Sequence, residues 1–316
     1  MRIVVIGGTG HVGTYLVPRL VGAGHEVAVV TRGMRLPYQP HPTWSRVEMV
    51  ALDREAAEKD GAFGPAIRNL RPEAVIDMLC FTEASARRLV EALDGRVKHL
   101  LHCGTVWVHG SNVEVPMLES APRAPIDDYG INKAAAERYL LERAHNGFPV
   151  TVLHPGHIVG QGWVPLNPQG NFNPQVYEAL ARGYELSLPN LGLETMHHVH
   201  ADDVAQAFQA SLERWDAAMG ESFFVVSRGA LTMRGYAEAV AGWFGQSAKL
   251  RFLPVEEWKC VMAPKDAGAA YAHLIHSTNC SPLKAMERLG YRPRYTSLEA
   301  VREALDWLIA QGRVRY

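Results

Sequence analysis

Arg2-Ile3-Val4-Val5-Ile6-Gly7-Gly8-Thr9-Gly10-His11-Val12-Gly13 decides how the chain is read. Residues 2–6 are a compact β-branched run, which suits a strand buried on both faces. Glycines follow at once, and the apolar period Val12, Leu16, Leu20 starts among them, so a helix begins inside the turn. Such a turn gathers backbone N–H groups and the positive end of a helix at one point, and its glycines let an anionic ligand approach the backbone closely. The expected ligand is the diphosphate of a dinucleotide, held by Gly7, Gly10, His11, Val12 and Gly13. Pro18 falls late enough to kink the helix rather than prevent it, and Gly22-Ala23-Gly24 ends it.

Outward from this turn, residues 26–30 form a second strand. The residues after a second strand normally meet the adenosine ribose. Here they are Thr31-Arg32-Gly33-Met34-Arg35, with no carboxylate for a 2′-hydroxyl and two guanidinium groups able to hold a 2′-phosphate. That favours NADP over NAD. A third strand spans 46–52, and Asp53 at its end is a candidate contact to the adenine. A helix-rich crossover at 54–70, interrupted by Gly61 and Gly64, leads to a fourth strand at 74–78, a helix at 83–93 and a fifth strand at 97–103. Strands alternating with helices imply an α/β fold, a Rossmann-type doubly wound parallel sheet with helices on both faces.

Thr105 follows the fifth strand, where ligands gather in open α/β sheets. Tyr129 and Lys133 lie one helical turn apart at the start of a helix over 129–144, so their side chains rise on the same face. An ammonium beside a phenol stabilises phenolate, which makes the pair a candidate proton-transfer device. A sixth strand covers 150–153. The irregular, proline- and glycine-rich stretch 154–173 reads as a functional loop. Helices are expected at 174–181 and 201–214, extended segments near 186, at 196–200 and at 223–226, and amphipathic stretches at 233–244 and 297–309. The expected organisation is a dinucleotide-binding domain over 1–155 and a smaller α/β substrate-binding cap over 156–316, with part of 195–230 returning to the main domain.

With 316 residues, 47% of them hydrophobic, the chain can bury a large core, and its net charge of -1 offers no field for nucleic acid or an anionic membrane. No apolar stretch reaches membrane-spanning length, and the N-terminal apolar run is too short for a signal peptide. A cytoplasmic protein with a small-molecule partner is expected. Cys80, Cys103, Cys260 and Cys280 are scattered without CxxC spacing, which points to reduced thiols.

Together these features resemble the extended short-chain dehydrogenase/reductases, the NAD-dependent epimerase/dehydratase family, over nearly the whole chain. Gly7, Gly10 and Gly13 fit that family's GxxGxxG, Thr105 its catalytic Ser or Thr, and Tyr129 and Lys133 its YxxxK. Val199-His200-Ala201-Asp202-Asp203-Val204 looks like its V-H-V-D-D-V segment, and Leu289-Gly290-Tyr291-Arg292-Pro293 its L-G-[WY]-x-P. The resemblance implies that Tyr129 exchanges the substrate hydroxyl proton during hydride transfer. Lys133 would bind the nicotinamide ribose and depress the tyrosine pKa, and Thr105 would hydrogen-bond the reacting oxygen. His154 joins the expected cofactor-binding set. Helices of this family often form a homodimer interface, for which 129–144 is the candidate here.

The departures from the family narrow the chemistry. Its 4,6-dehydratases follow the catalytic Thr with Asp-Glu, whereas Val106 and Trp107 stand here and cannot move protons. Two positions that hold the pyrophosphate of sugar nucleotides in the family are His157 and Met196. A substrate without a nucleotide handle is therefore expected, a free sugar, sugar acid, polyol or other small secondary alcohol, with Thr105, Trp107, His157 and His197 lining its site. His109, His154, His157, His197, His198 and His200 crowd this region without HxxxH or HExxH spacing, so no metal site is expected. Pocket lining and buried structural roles both remain for them. Trp107 and Trp163 suit stacking on a sugar ring or simple packing. The leading expectation is an NAD(P)-dependent oxidoreductase; a sugar or nucleotide-sugar epimerase, and a non-catalytic cofactor sensor or RNA-binding protein, are the alternatives.

Overall fold

A computed structural model describes residues 1–316. In chain order the first half runs β1 (Arg2–Ile6), α1 (His11–Gly22), β2 (Glu26–Thr31), β3 (Glu48–Ala51), α2 (Arg54–Lys59), α3 (Phe63–Asn69), β4 (Ala74–Asp77), α4 (Glu83–Leu93), β5 (His99–Cys103), α5 (Asp128–His145) and β6 (Val150–Pro155). Then follow β7 (His157–Val159), α6 (Gln175–Ala181), β8 (Glu185–Pro189), β9 (Thr195–Met196), β10 (His198–His200), α7 (Ala201–Glu213), α8 (Trp215–Ala218) and β11 (Ser222–Val225). The chain closes with β12 (Leu231–Thr232), α9 (Met233–Trp243), β13 (Lys249–Leu253), α10 (Val255–Val261), α11 (Pro264–His276), α12 (Leu283–Arg288) and α13 (Ser297–Ala310).

Seven strands make one sheet in the order β11-β6-β5-β4-β1-β2-β3, and every pairing in it is parallel. The β-branched run that opened the chain is its centre. Ile3 and Val5 point into a core shared with Leu16 and Leu20 of α1 and Phe208 of α7, while Val4 and Ile6 point into an opposite core with Ile67, Leu89 and Leu140. A strand flanked by two helical layers has no polar face, which is why its sequence shows no alternation. Strand order reverses between β1 and β4, and the crevice at such a reversal opens at the carboxyl ends of the strands.

A third core lies over those carboxyl ends, with Tyr177, Tyr236, Trp258 and Leu305 at its heart. The two tyrosine hydroxyls meet at 2.8 Å, and Tyr236 also donates to the Leu166 carbonyl at 2.9 Å. This region holds what the sequence did not announce. Lys249-Leu250-Arg251-Phe252-Leu253 pairs in parallel with β8, although its two cations hide the strand pattern. Alanine-rich α11 carries too few large apolar residues for its helical period to stand out. The 154–173 stretch is less irregular than its prolines suggest. It begins by completing β6 and then forms β7, which pairs with β10 so that His157 lies beside His198. The extended reading of 196–200 divides accordingly, β9 pairing with β12 and β10 with β7.

Gly13 fixes how α1 sits on the sheet. A Cβ there would fall 2.0 Å from the Gly8 carbonyl oxygen, and backbone cannot give way as a flexible side chain does. Gly13→Val is expected to destabilise the protein by about 1–3 kcal/mol, the usual range for overpacking, as read from urea unfolding midpoints.

Candidate functional site

At the carboxyl ends of β1, β4, β5 and β6 the chain encloses a cavity of about 480 Å³. Gly7, Gly10, His11, Val12 and Gly13 line one part of it and Thr105, Trp107, Tyr129, Lys133 and His157 another, so residues far apart in sequence face one space. Gly10 precedes α1 without any side-chain cap, which leaves the first N–H groups of the helix for a ligand. His11 beside them is 8% exposed and neither of its ring nitrogens has a partner. Burial pushes this imidazole down to about 4, with His200 adding to the effect. Uncapped N–H groups and an orphaned imidazole on a cradle this tight fit the diphosphate of a dinucleotide.

Lys133 is 2% exposed, and its ammonium donates to the carbonyls of Cys80 at 2.8 Å and Cys103 at 2.5 Å. An ammonium has three donors, so one remains for a ligand. Burial lowers its pKa, and the neighbouring Cys103, Cys80 and Asp77 oppose the shift. Thr105 caps the short turn Val106–His109, its hydroxyl oxygen accepting from the Trp107 N–H at 3.3 Å. The hydroxyl proton is left to donate. Burial pushes the Tyr129 phenol up to about 12, Cys103 adds to this, and the Thr105 hydroxyl acts against it.

The wall beside Tyr129 is aromatic. Trp107 stacks on His276 with ring centres 4.0 Å apart and meets His273 edge-on at 5.1 Å; His273 in turn lies 4.9 Å from His157 and 5.8 Å from Phe172. Burial holds His157 well below its ordinary value, with His273 and His198 adding to it, and brings His273 down to about 4. These imidazoles are neutral at pH 7. No group of three or more His, Cys, Asp and Glu comes together as a metal site.

Several expected site residues lie elsewhere. Asp53 is the N-cap of α2, its carboxylate accepting from the Ala56 N–H at 3.0 Å. His197 is 1% exposed, with Nε2 at 3.0 Å from the Ser227 carbonyl and Nδ1 accepting from the Cys280 N–H, so it lies behind the wall rather than in it. His154 is fully buried between Thr105 and Glu137, outside the cavity. Met196 is core. Thr31 approaches Thr9 at 3.1 Å, and Arg32 is exposed without an ionic partner at the end of β2, outside the cavity. Trp163 does line the cavity, but at the glycine turn, where it stacks on His11 at 5.3 Å. Arg35, Tyr38, Phe81 and Phe172 line it from loops that carry no motif. His273 and His276 are spaced one helical turn apart, a signal that a helix reading of 264–276 would have exposed.

A model of the NAD dependent epimerase/dehydratase family matches residues 3–226. The chain is 29% identical over 317 residues to 2′-dehydrokanamycin reductase of Streptomyces kanamyceticus, covering 99% of this chain and 86% of the relative. It is 28% identical over 318 residues to dTDP-6-deoxy-L-talose 4-dehydrogenase (NAD(P)(+)) of Kitasatospora kifunensis, covering 96% and 94%. Among solved structures, UDP-glucose 4-epimerase with UDP-glucose from Thermotoga maritima superposes with a TM-score of 0.75 at 22% identity, covering 98% of this chain and 99% of that one. No helix is long and apolar enough to cross a membrane.

Six buried histidines, His11, His99, His109, His197, His198 and His273, are held at about 4 against an ordinary 6.5. Between those values the unfolded chain binds protons that the folded one refuses. Unfolding free energy is therefore expected to fall as pH drops from 6.5 toward 4, as measured by urea midpoints at pH 7.5, 6 and 5.

Proposed function

Because the chain belongs to the NAD dependent epimerase/dehydratase family, enzymes of the extended short-chain dehydrogenase/reductase type, we propose that it is an NAD(P)-dependent oxidoreductase acting on a secondary alcohol or ketone of a small polyhydroxylated compound. The observation that carries this reading is a single cavity lined by both the glycine turn and the Thr105, Tyr129 and Lys133 set. Its lining contains two cations, Lys133, which two carbonyls hold, and Arg35, from the loop after β2. The wall of Trp107, His157 and Phe172 offers stacking faces and neutral hydrogen-bonding imidazoles rather than the positive charge that a substrate diphosphate would call for. A sugar-like ring with hydroxyl groups suits that wall.

The nicotinamide cofactor, when bound, supplies or accepts the hydride. Thr105 donates its hydroxyl proton as a hydrogen bond to the reacting oxygen. Tyr129, a phenol and so protonated at neutral pH, is in the form that gives a proton to a carbonyl oxygen during ketone reduction. Its phenolate then regains a proton from solvent. Lys133 offers its remaining N–H to the cofactor ribose. Val106 and Trp107 after Thr105 hold no acid or base, so elimination of water has no proton carrier there. Support for NADP comes from the missing carboxylate after β2 and from the exposed, unpaired Arg32.

Purified protein with NADPH or NADP and a panel of polyols, sugar acids and keto-sugars is expected to give a net change in nicotinamide absorbance. Isomerisation with retained cofactor and no absorbance change would mark an epimerase instead. Tyr129→Phe should lower turnover by about 100-fold or more, the usual worth of a general acid; full activity in that variant would remove the assignment. Arg32→Ala is expected to weaken NADP binding more than NAD binding in fluorescence titrations, and equal losses would remove the 2′-phosphate argument.

A further inference from the structure

His154 occupies a buried station between the two halves of the proposed proton machinery. Tyr129, Lys133 and Glu137 succeed one another at one-turn intervals along α5. Glu137 is 1% exposed, and its carboxylate receives the Arg123 guanidinium at 2.7 Å and lies 2.9 Å from His154 Nε2. Across the ring, His154 Nδ1 accepts from the Thr105 backbone N–H at 3.0 Å. A backbone N–H only donates, so Nδ1 carries no proton and Nε2–H donates to Glu137. Gly104 completes the fit. A Cβ there would lie 2.4 Å from His154 Nδ1, so the ring packs against bare backbone just before Thr105.

We propose that His154 is a positioning residue: it clips the Gly104-Thr105 backbone to Glu137 of α5 and so fixes the Thr105 hydroxyl relative to Tyr129. The proposal rests on the catalytic reading of Thr105 given above. Helix α5 sets the height of Tyr129, the clip sets the height of Thr105 from the same helix, and one neutral imidazole makes both distances depend on a single element. An imidazolium could not serve, because a second ring proton would confront the Thr105 N–H.

Two substitutions separate the halves of the clip. In His154→Asn the amide oxygen takes the place of Nδ1 and keeps an acceptor for Thr105, whereas in His154→Gln the amide nitrogen takes the place of Nε2 and keeps only the donor to Glu137. Histidine-labelled ¹⁵N spectra of the whole protein at neutral pH are expected to show His154 protonated at Nε2 alone. Hydrogen exchange should show the Thr105 amide protected in the native protein and His154→Asn, and exposed in His154→Gln. NADPH affinity should stay within about twofold in both variants, while turnover of the substrate found in the panel falls by about 10- to 100-fold in His154→Gln only, the scale of a reacting group misplaced by about 1 Å. Protonated Nδ1, equal exchange in the two variants, or NADPH affinity lost in step with Thr105 protection would overturn the proposal. If exchange behaves as expected but Thr105→Val keeps full turnover, the catalytic reading of Thr105 fails instead, and the two failures are told apart.

Discussion

The structure depends on one buried ammonium. Lys133 leaves α5, passes out of solvent and ends against the carbonyls of Cys80 and Cys103, beyond β4 and at the end of β5. A charge so deeply enclosed is costly unless its hydrogen bonds are met, and carbonyls at the carboxyl edge of a parallel sheet meet them. The contact therefore locks the helix to the one edge of the sheet where a ligand can reach it. Tyr129 one turn earlier and Glu137 one turn later inherit their places from that lock. Phe81, whose ring lies 5.3 Å from the ammonium, closes it off on the side of the β4 loop.

Sheet and site differ in how plainly the chain declares them. The first seven elements were legible because each is governed by a local rule: a β-branched run buried on both faces, a glycine turn, a helix between two strands. Thr105, Tyr129 and Lys133 were legible as a set because each stands at a fixed place on that scaffold. The wall was legible in part: Trp107 and His157 were expected to line it, while Phe172, His273 and His276 were not. Trp107 finds its stacking partners on α11, about 165 residues later, and nothing local at either position reports the meeting. His154 was misplaced for a related reason. Its position after the sixth strand suggested a face toward the cofactor, but Pro155 still belongs to β6, and the strand's alternation turns His154 into the interior toward Glu137. Asp53 caps a helix as well, a duty that short carboxylates fill wherever a helix begins behind them.

The histidines show what burial does to a residue type chosen for its readiness to ionise. Kept from water, the imidazoles of the wall become flat, uncharged groups that stack like aromatic rings and still offer a donor and an acceptor. His198 gives its Nε2–H to the Leu166 carbonyl, and His200 caps α7 while stacking on Tyr295 at 3.9 Å. Two pairs of hands hold the loop between β7 and α6 in the same manner: Gln161 meets Gln39 from the loop after β2, and its N–H points to Glu303 of α13. The roof over the glycine turn is thus tied both to the loop after β2 and to the last helix.

The stacking of Trp107 on His276 divides labour between stretches of chain that can change separately. Thr105, Tyr129 and Lys133 stand on the sheet and α5, which the Lys133 lock holds together. The loop bearing Phe172 lines the cavity from the other side, and α11 backs that side through the contacts of His273 and His276 with Trp107. A chain built this way can change the Phe172 side of the cavity while leaving the Lys133 side in place.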